Sequence, residues 1–384
     1  MQIKWTPTLD AILREMVDKE SGTWPIVARS MTERLGFIVT ADMARNRFSR
    51  LEELDFSMRV LPELDSKEGL TLALEEARRQ LEDSRTSRPE LAFAIDSAIK
   101  SAISGMTIPP VLEPAPVASD DTARVVLPLG DWQIGKLIKG HYDSATAMRR
   151  LEDYFDEVVD RIQVGPYHIE EAHLLLLGDL LENETIFPSQ PYLIDSSLYR
   201  QVFLVAEAIT NGIRRVLSVV PQVHVEGVGG NYGYNQKNSH PETNFDCMAM
   251  NVSRLLLADE PRLTFLEPFT PSEEHWYMLH DVGPLRFFGI HGNQVRSQPY
   301  SKAMRDKLMN YHGTVGGFDF ALTTHYHQSL MADIGPFIHV ATGSTESNNT
   351  FAKQWLATGA QMGSQWMLVV DDDGLREAHH IRLP

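Results

Sequence analysis

The chain has 384 residues, 43% apolar and 23% charged, with a formal net charge of −17. That size suits one large domain plus a smaller one, and the acidic balance argues against broad, non-specific binding to phosphate backbones or anionic membranes. A single cysteine, Cys247, excludes an internal disulfide; with no apolar stretch of membrane-spanning length and no signal-peptide pattern, a cytoplasmic protein with no membrane partner is expected.

Three short helices are expected first. Thr6 caps the first with Pro7 at its opening position, and Leu9, Ile12, Leu13, Met16 and Val17 recur at helical spacing. The second starts near Thr23, gathers Val27, Ala28, Met31 and Leu35 on one side and stops at Gly36. The third starts after Thr40. Met43, Ala44, Phe48 and Leu51 face inward, and Arg45, Asn46, Arg47 and Arg50 lie opposite. With Trp5 and Trp24 as core aromatics, this segment resembles a helix-turn-helix or Myb-like module. That resemblance implies DNA as a partner, contacted through Arg45, Asn46, Arg47 and Arg50. Residues 1–50 hold eight Lys/Arg against six Asp/Glu, a net +2 that leaves −19 elsewhere. A solvated face on a docking or dimerisation module remains the alternative.

The domain boundaries read as a helix-turn-helix-like module over 1–60, a helical connector over 61–103, a Pro-rich linker over 104–123 and the main domain over 124–384. Pro109, Pro110, Pro114 and Pro116 disfavour regular structure in the linker. The helical run 66–103 is either a dimerisation element, which gives a homodimer, or a docked helix pair.

Beyond Arg124, strand-like and helix-like runs alternate. Strands are expected at Val125–Leu129, Ala172–Leu177, Val223–Val228, Leu285–Ile290, Phe320–Thr323 and Phe337–Thr342. Helices are expected at Ala145–Ile162 and Tyr199–Val216. A hairpin at Asp371-Asp372-Asp373-Gly374 joins Trp366–Val370 to Leu375–Arg382. The class is α/β, with two packed sheets and helices outside.

Five short segments sit where apolar runs give way to turns: Asp131-Trp132-Gln133, Gly178-Asp179, Gly230-Asn231-Tyr232, His291-Gly292 and His325-Tyr326-His327. Glycine permits the tight turn at a strand end, where a carboxylate points into the crevice at the sheet edge. Divalent ions need several oxygen and nitrogen donors, which these segments supply. In His325-Tyr326-His327, alternate residues of an extended segment point the same way. His173, His224, His275, His280, His339, His379 and His380 match no motif and read as structural or surface residues.

The order and spacing of the five segments, over about residues 124–345, resemble the calcineurin-like metallophosphoesterase superfamily. Within it, the chain looks most like phage and bacterial members related to recombination and repair exonucleases. The family pattern is D-x-H, G-D, G-N-H-D/E, H and G-H-x-H. The resemblance implies a two-sheet metallophosphoesterase sandwich flanked by helices, preceded here by a small all-α domain. It also implies two divalent metal ions, Mn2+ foremost, with Zn2+, Fe2+, Ni2+ or Mg2+ as alternatives. By the family pattern, Asp179 would bridge them; Asp131, Gln133 and His327 would complete one shell, and Asn231, His291 and His325 the other. By the same resemblance, a hydroxide held by such ions would attack phosphorus. Asn231, Tyr232 and His291 then take catalytic positions.

Two departures stand out. Gln133 replaces a histidine, so one metal is expected to bind weakly or to be absent. Tyr232 replaces the histidine that contacts the phosphate or protonates the leaving group, and Gly233 replaces the acidic residue that orients it. A tyrosine titrates near 10 and is a poor proton relay at neutral pH. His240, Lys237 and Glu182 are candidate substitutes. Tyr232, His240 and Arg296 are candidate substrate contacts, in a cleft lined by Asn235–Asn244. Three functions follow: a metal-dependent phosphodiesterase acting on nucleic acid, most simply a DNA nuclease; a small-nucleotide phosphodiesterase; or an impaired scaffold that binds DNA or a protein partner.

Overall fold

The computed structural model describes residues 7–19, 24–35, 38–48, 111–114, 119–187, 189–234, 244–266, 276–349 and 362–384. The connector 61–103, most of the linker 104–123, and Arg50, Lys237, His240 and His275 lie outside the described residues. The chain divides into two units, Met1–Thr71 and Leu72–Pro384. No helix among the described residues is long and apolar enough to cross a membrane.

The first unit is helical: α1 (Pro7–Lys19), α2 (Trp24–Leu35) and α3 (41–48). The apolar stripes read from the sequence meet in one small core of Leu13, Met16, Val27, Met31, Val39 and Ala44. Trp24 and Phe48 close it with ring centroids 5.6 Å apart. Thr40 caps α3, its hydroxyl accepting from the Met43 N–H at 3.3 Å. Arg45 and Asn46 are exposed. Arg47 instead reaches back to α1, where its guanidinium donates twice to Asp10, at 2.7 and 2.5 Å.

The second unit is a four-layer sandwich. One sheet has the order β11-β10-β1-β2-β3-β4 and the other β5-β6-β7-β9-β8. The first is built from β1 (Thr122–Leu129), β2 (His168–Leu176), β3 (Gln222–Gly227), β4 (Leu263–Phe265), β10 (Gly363–Asp371) and β11 (Gly374–Leu383). The second comprises β5 (Met278–Val282), β6 (Leu285–Gly289), β7 (Phe320–Thr323), β8 (Leu330–Asp333) and β9 (Ile338–Ala341). Strands β1 to β4 run parallel, as do β6, β7 and β9.

Strand periodicity explains the layers. Val125, Leu127 and Leu129 point to one face of β1 and Val126 to the other. Leu174 and Leu176 of β2 alternate in the same way with Leu175 and with Leu177 just beyond the strand. One set packs on helices α4 (Ser144–Val164), α5 (Leu198–Leu217) and α6 (Phe245–Leu256). The other meets Phe287, Phe320, Leu322 and Val340 of the second sheet. Beyond that sheet, Phe288, Ile290 and Ala321 pack with Met304 and Leu308 of α7 (Lys302–Thr314). The central strands of both sheets are therefore buried on both faces and read as unbroken apolar runs. A fully buried Leu or Phe contributes about 1.5–3 kcal/mol to this arrangement.

Candidate metal centre

Each of the five segments leaves the C-terminal end of a parallel strand: β1, β2, β3, β6 and β7. Five of the seven non-glycine residues with positive φ among the described residues belong to them. They are Asp131 (49°), Gln133 (45°), Asp179 (50°), His325 (75°) and His327 (54°). A side-chain-bearing residue resists this region, at a cost of about 1–3 kcal/mol each, and such strain gathers where function requires it. Gly178, at φ 81°, shows why the turn needs glycine: a Cβ there would lie 2.2 Å from the Gly230 nitrogen. The close approach of these two turns lets the Tyr232 N–H donate to Asp179 Oδ1 at 2.7 Å.

The Asp179 side gathers donor atoms. Nε2 of His291 lies 3.1 Å from Asp179 Oδ2, 3.0 Å from Asn231 Oδ1 and 3.2 Å from His325 Nδ1. The ligand atoms of Asp179, His291 and His325 all fall within 4.8 Å of one another. Nδ1 of His291 donates to the Leu177 carbonyl at 2.8 Å, so in the neutral ring Nε2 presents a lone pair to the cluster. Asp179 Oδ2 is buried with no hydrogen bond. A cation is the natural partner for four such atoms, and this set of one carboxylate, one carboxamide and two imidazoles fits a divalent metal.

The electrostatics agree. Burial pulls the His291 imidazole down, but Asp179 overcomes it and raises the ring to about 9, so the cluster takes up a proton when nothing else neutralises it. Burial and then His291 push His325 down to about 3, which leaves it neutral. Burial alone would raise Asp179, yet His291 holds it below the usual carboxylate range.

The Asp131 side is wired differently. Asp131 Oδ2 accepts from the His325 N–H at 2.6 Å and from the Thr324 hydroxyl, while Oδ1 is buried without a hydrogen bond. His327 Nε2 lies 3.7 Å from Asp131 Oδ1 and 3.1 Å from Gln133 Nε2. Gln133 Oε1 accepts from Lys136 Nζ at 2.5 Å. Lys136 is also 2.8 Å from Glu346 and 3.6 Å from Glu182. His327 Nδ1 meets Glu346 Oε1 at 2.5 Å. Burial and then Lys136 act in opposite directions on Glu182 and leave it raised to about 7. Of the three candidate substitute acids, Glu182 is the one among the described residues. Burial also raises the Tyr232 hydroxyl above its ordinary value.

Three residues at the site went unread in the sequence. Asp246, near the start of α6, accepts backbone N–H bonds from Asp179 (2.9 Å), Leu180 (2.9 Å) and Gly230 (2.8 Å) and so ties two site loops together. Glu346 lies in the polar run Gly343–Asn349 that follows β9; a polar run directly after a buried strand was the available signal. Lys136, three residues from Gln133, is the third. Arg296 is exposed on the loop after β6.

The chain matches no protein-family model and no curated protein. Among solved structures it is similar to Vps29 of Entamoeba histolytica in complex with zinc, at 14% identity over 68% of this chain and 99% of that one, with a TM-score of 0.30. A novel archaeal phosphodiesterase is similar at 10% identity over 67% and 99%, TM-score 0.35. A hypothetical protein of Pyrococcus horikoshii OT3 is similar at 15% identity over 68% and 88%, TM-score 0.37.

Proposed function

We propose that the chain is a metal-dependent phosphodiesterase of the metallophosphoesterase type and that DNA is its substrate. One observation carries the reading: the donor atoms of Asp179, His291 and His325 converge at the carboxyl ends of parallel strands, around a carboxylate oxygen that has no hydrogen bond. A divalent ion bound there, with Mn2+ suited to the mixed donor set, supplies Lewis-acid charge to a phosphoryl oxygen. The protein's own part is positional. Leu177 fixes the His291 tautomer, Asp246 fixes the two loops, and exposed Arg296 offers a phosphate contact. By the family pattern Tyr232 replaces an imidazole that would relay a proton, which favours phosphodiesters with good leaving groups. The exposed Arg45 and Asn46 on α3 favour DNA over a small nucleotide.

The test is cleavage of labelled single- and double-stranded DNA with added Mn2+, beside an Asp179→Ala control. Outer-shell partners of a metal cost 10–100-fold, so loss of a direct ligand should cost at least about 100-fold. A second reading, a scaffold that binds DNA or a protein without cleaving, draws on one observation: the Gln133 oxygen is already held by Lys136. DNA bound but uncut by folded, Mn2+-loaded protein would favour it.

A further inference from the structure

We infer that the site takes one divalent ion, on the Asp179 side, and that the ammonium of Lys136 stands in for a second ion on the Asp131 side. The inference rests on the metal-dependent reading above and sharpens its stoichiometry.

The hydrogen-bond directions decide it. An ammonium can only donate, so the Gln133 atom 2.5 Å from Lys136 Nζ is the carbonyl oxygen. That oxygen is the one atom a carboxamide offers a metal, and it is taken. The other end of the amide is then the NH2 group, which faces His327 Nε2 at 3.1 Å. An NH2 donates, so Nε2 accepts, and the ring proton sits on Nδ1. There it donates to Glu346 Oε1 at 2.5 Å. The chain Lys136, Gln133, His327, Glu346 is thus consistent at every link. Both nitrogen and carboxamide donors on this side are spent within it. Asp131 Oδ1 is left, and even with Asp179 Oδ2 shared from the other side, two carboxylate oxygens are too few protein donors for a divalent ion.

Lys136 is meanwhile solvated as a bound cation would be. Oxygens of Gln133, Glu346 and Glu182 lie 2.5, 2.8 and 3.6 Å from its nitrogen, and its side chain is 12% exposed. Local backbone delivers it. The Lys136 N–H bonds the Gln133 carbonyl at 3.1 Å, closing a four-residue turn with Gly135 at φ 107°. A three-residue spacing therefore carries the ammonium back onto the residue that departs from the family pattern. A second divalent ion here would face both an ammonium and the loss of that hydrogen-bond chain.

The experiment counts Mn2+ on the full chain by equilibrium dialysis and electron paramagnetic resonance. One ion per chain, with the spectrum of an isolated centre, is expected. Two ions, or a spin-coupled pair, would overturn the inference and leave the metal-dependent reading intact. No bound ion would overturn that reading and the inference with it. The Gln133→His variant keeps Lys136 and should still bind one ion; two would show that Lys136 does not hold the position. Gln133→His with Lys136→Ala should bind two, and one ion in that folded double variant would also count against the ammonium. Should the double variant not fold, the wild-type and Gln133→His counts decide.

Discussion

On one side of the candidate site, His291 turns Nδ1 to a backbone carbonyl and Nε2 to Asp179, Asn231 and His325. On the other, His327 turns its proton to Glu346 and its lone pair to the Gln133 amide. The residue types are alike on the two sides, and the tautomers are set by what lies behind each ring. A neutral carbonyl behind His291 adds no charge there, so Asp179 in front is balanced by a ring proton or a cation. A carboxylate behind His327, with Lys136 beside Gln133, supplies the charge from within the protein. On the one-ion reading, the partners one bond further out set the metal count of two similar ligand sets.

The largest contrast should come from deleting one acceptor on each side. Asp179→Ala is expected to abolish Mn2+ binding and lower phosphodiester turnover by at least about 100-fold. Gln133→Ala should leave one Mn2+ bound; equal loss of metal in the two variants would erase the distinction between the sides. Next is Asp246→Ala, which strands the N–H groups of Asp179, Leu180 and Gly230. With three hydrogen bonds to a charged group worth about 1.5–3 kcal/mol each, a loss of roughly 4–5 kcal/mol or more is expected in urea denaturation. An unchanged midpoint would show that the two loops hold themselves.

A smaller effect is expected at Tyr232. If the missing proton relay limits turnover, Tyr232→His should accelerate esters with poor leaving groups by about 10–100-fold and good ones much less. Uniform acceleration would count against a missing acid.

The smallest effect calibrates the histidines. His339 is buried beside Thr323, outside both halves of the site, and burial alone lowers it to about 4. Its folded value lies below its ordinary 6.5, so the unfolded chain binds the proton more readily. Its contribution to stability is present above about 6.5 and is lost as pH falls toward 4, on the order of 1 kcal/mol per pH unit. His327 is shifted the other way: burial lowers it, but Glu346 and Asp131 raise it above 6.5. Thermal melts from pH 7 to pH 4 should be less steep in His339→Gln than in the wild type. Identical slopes would contradict the burial account.

The central strands were readable because both faces are buried: Val125–Leu129 and His173–Leu177 announce themselves as apolar runs. The site was readable where a strand end coincides with Asp or His. Helix α6 was missed because it opens on buried Asp246, a residue placed for the loops and not for a helical stripe. Helix α7 was missed because it buries only Met304 and Leu308. Strand β8, with three half-buried residues and exposed Asp333, carries little pattern. Lys136 and Glu346 escaped for a different reason. Their importance lies in a three-dimensional hydrogen-bond chain linking segments about 200 residues apart, which no local pattern encodes. On α3, the sequence showed a basic face but not that Asp10 occupies Arg47.

The most direct test of metal-dependent phosphodiester chemistry at this site is turnover of bis(4-nitrophenyl) phosphate by the wild type and by His291→Ala, with and without Mn2+. This substrate has a good leaving group, so the tyrosine at position 232 does not obscure the result. The account predicts Mn2+-dependent turnover in the wild type that His291→Ala lacks. Equal turnover in both, or none in folded wild-type protein with Mn2+ bound, would contradict it.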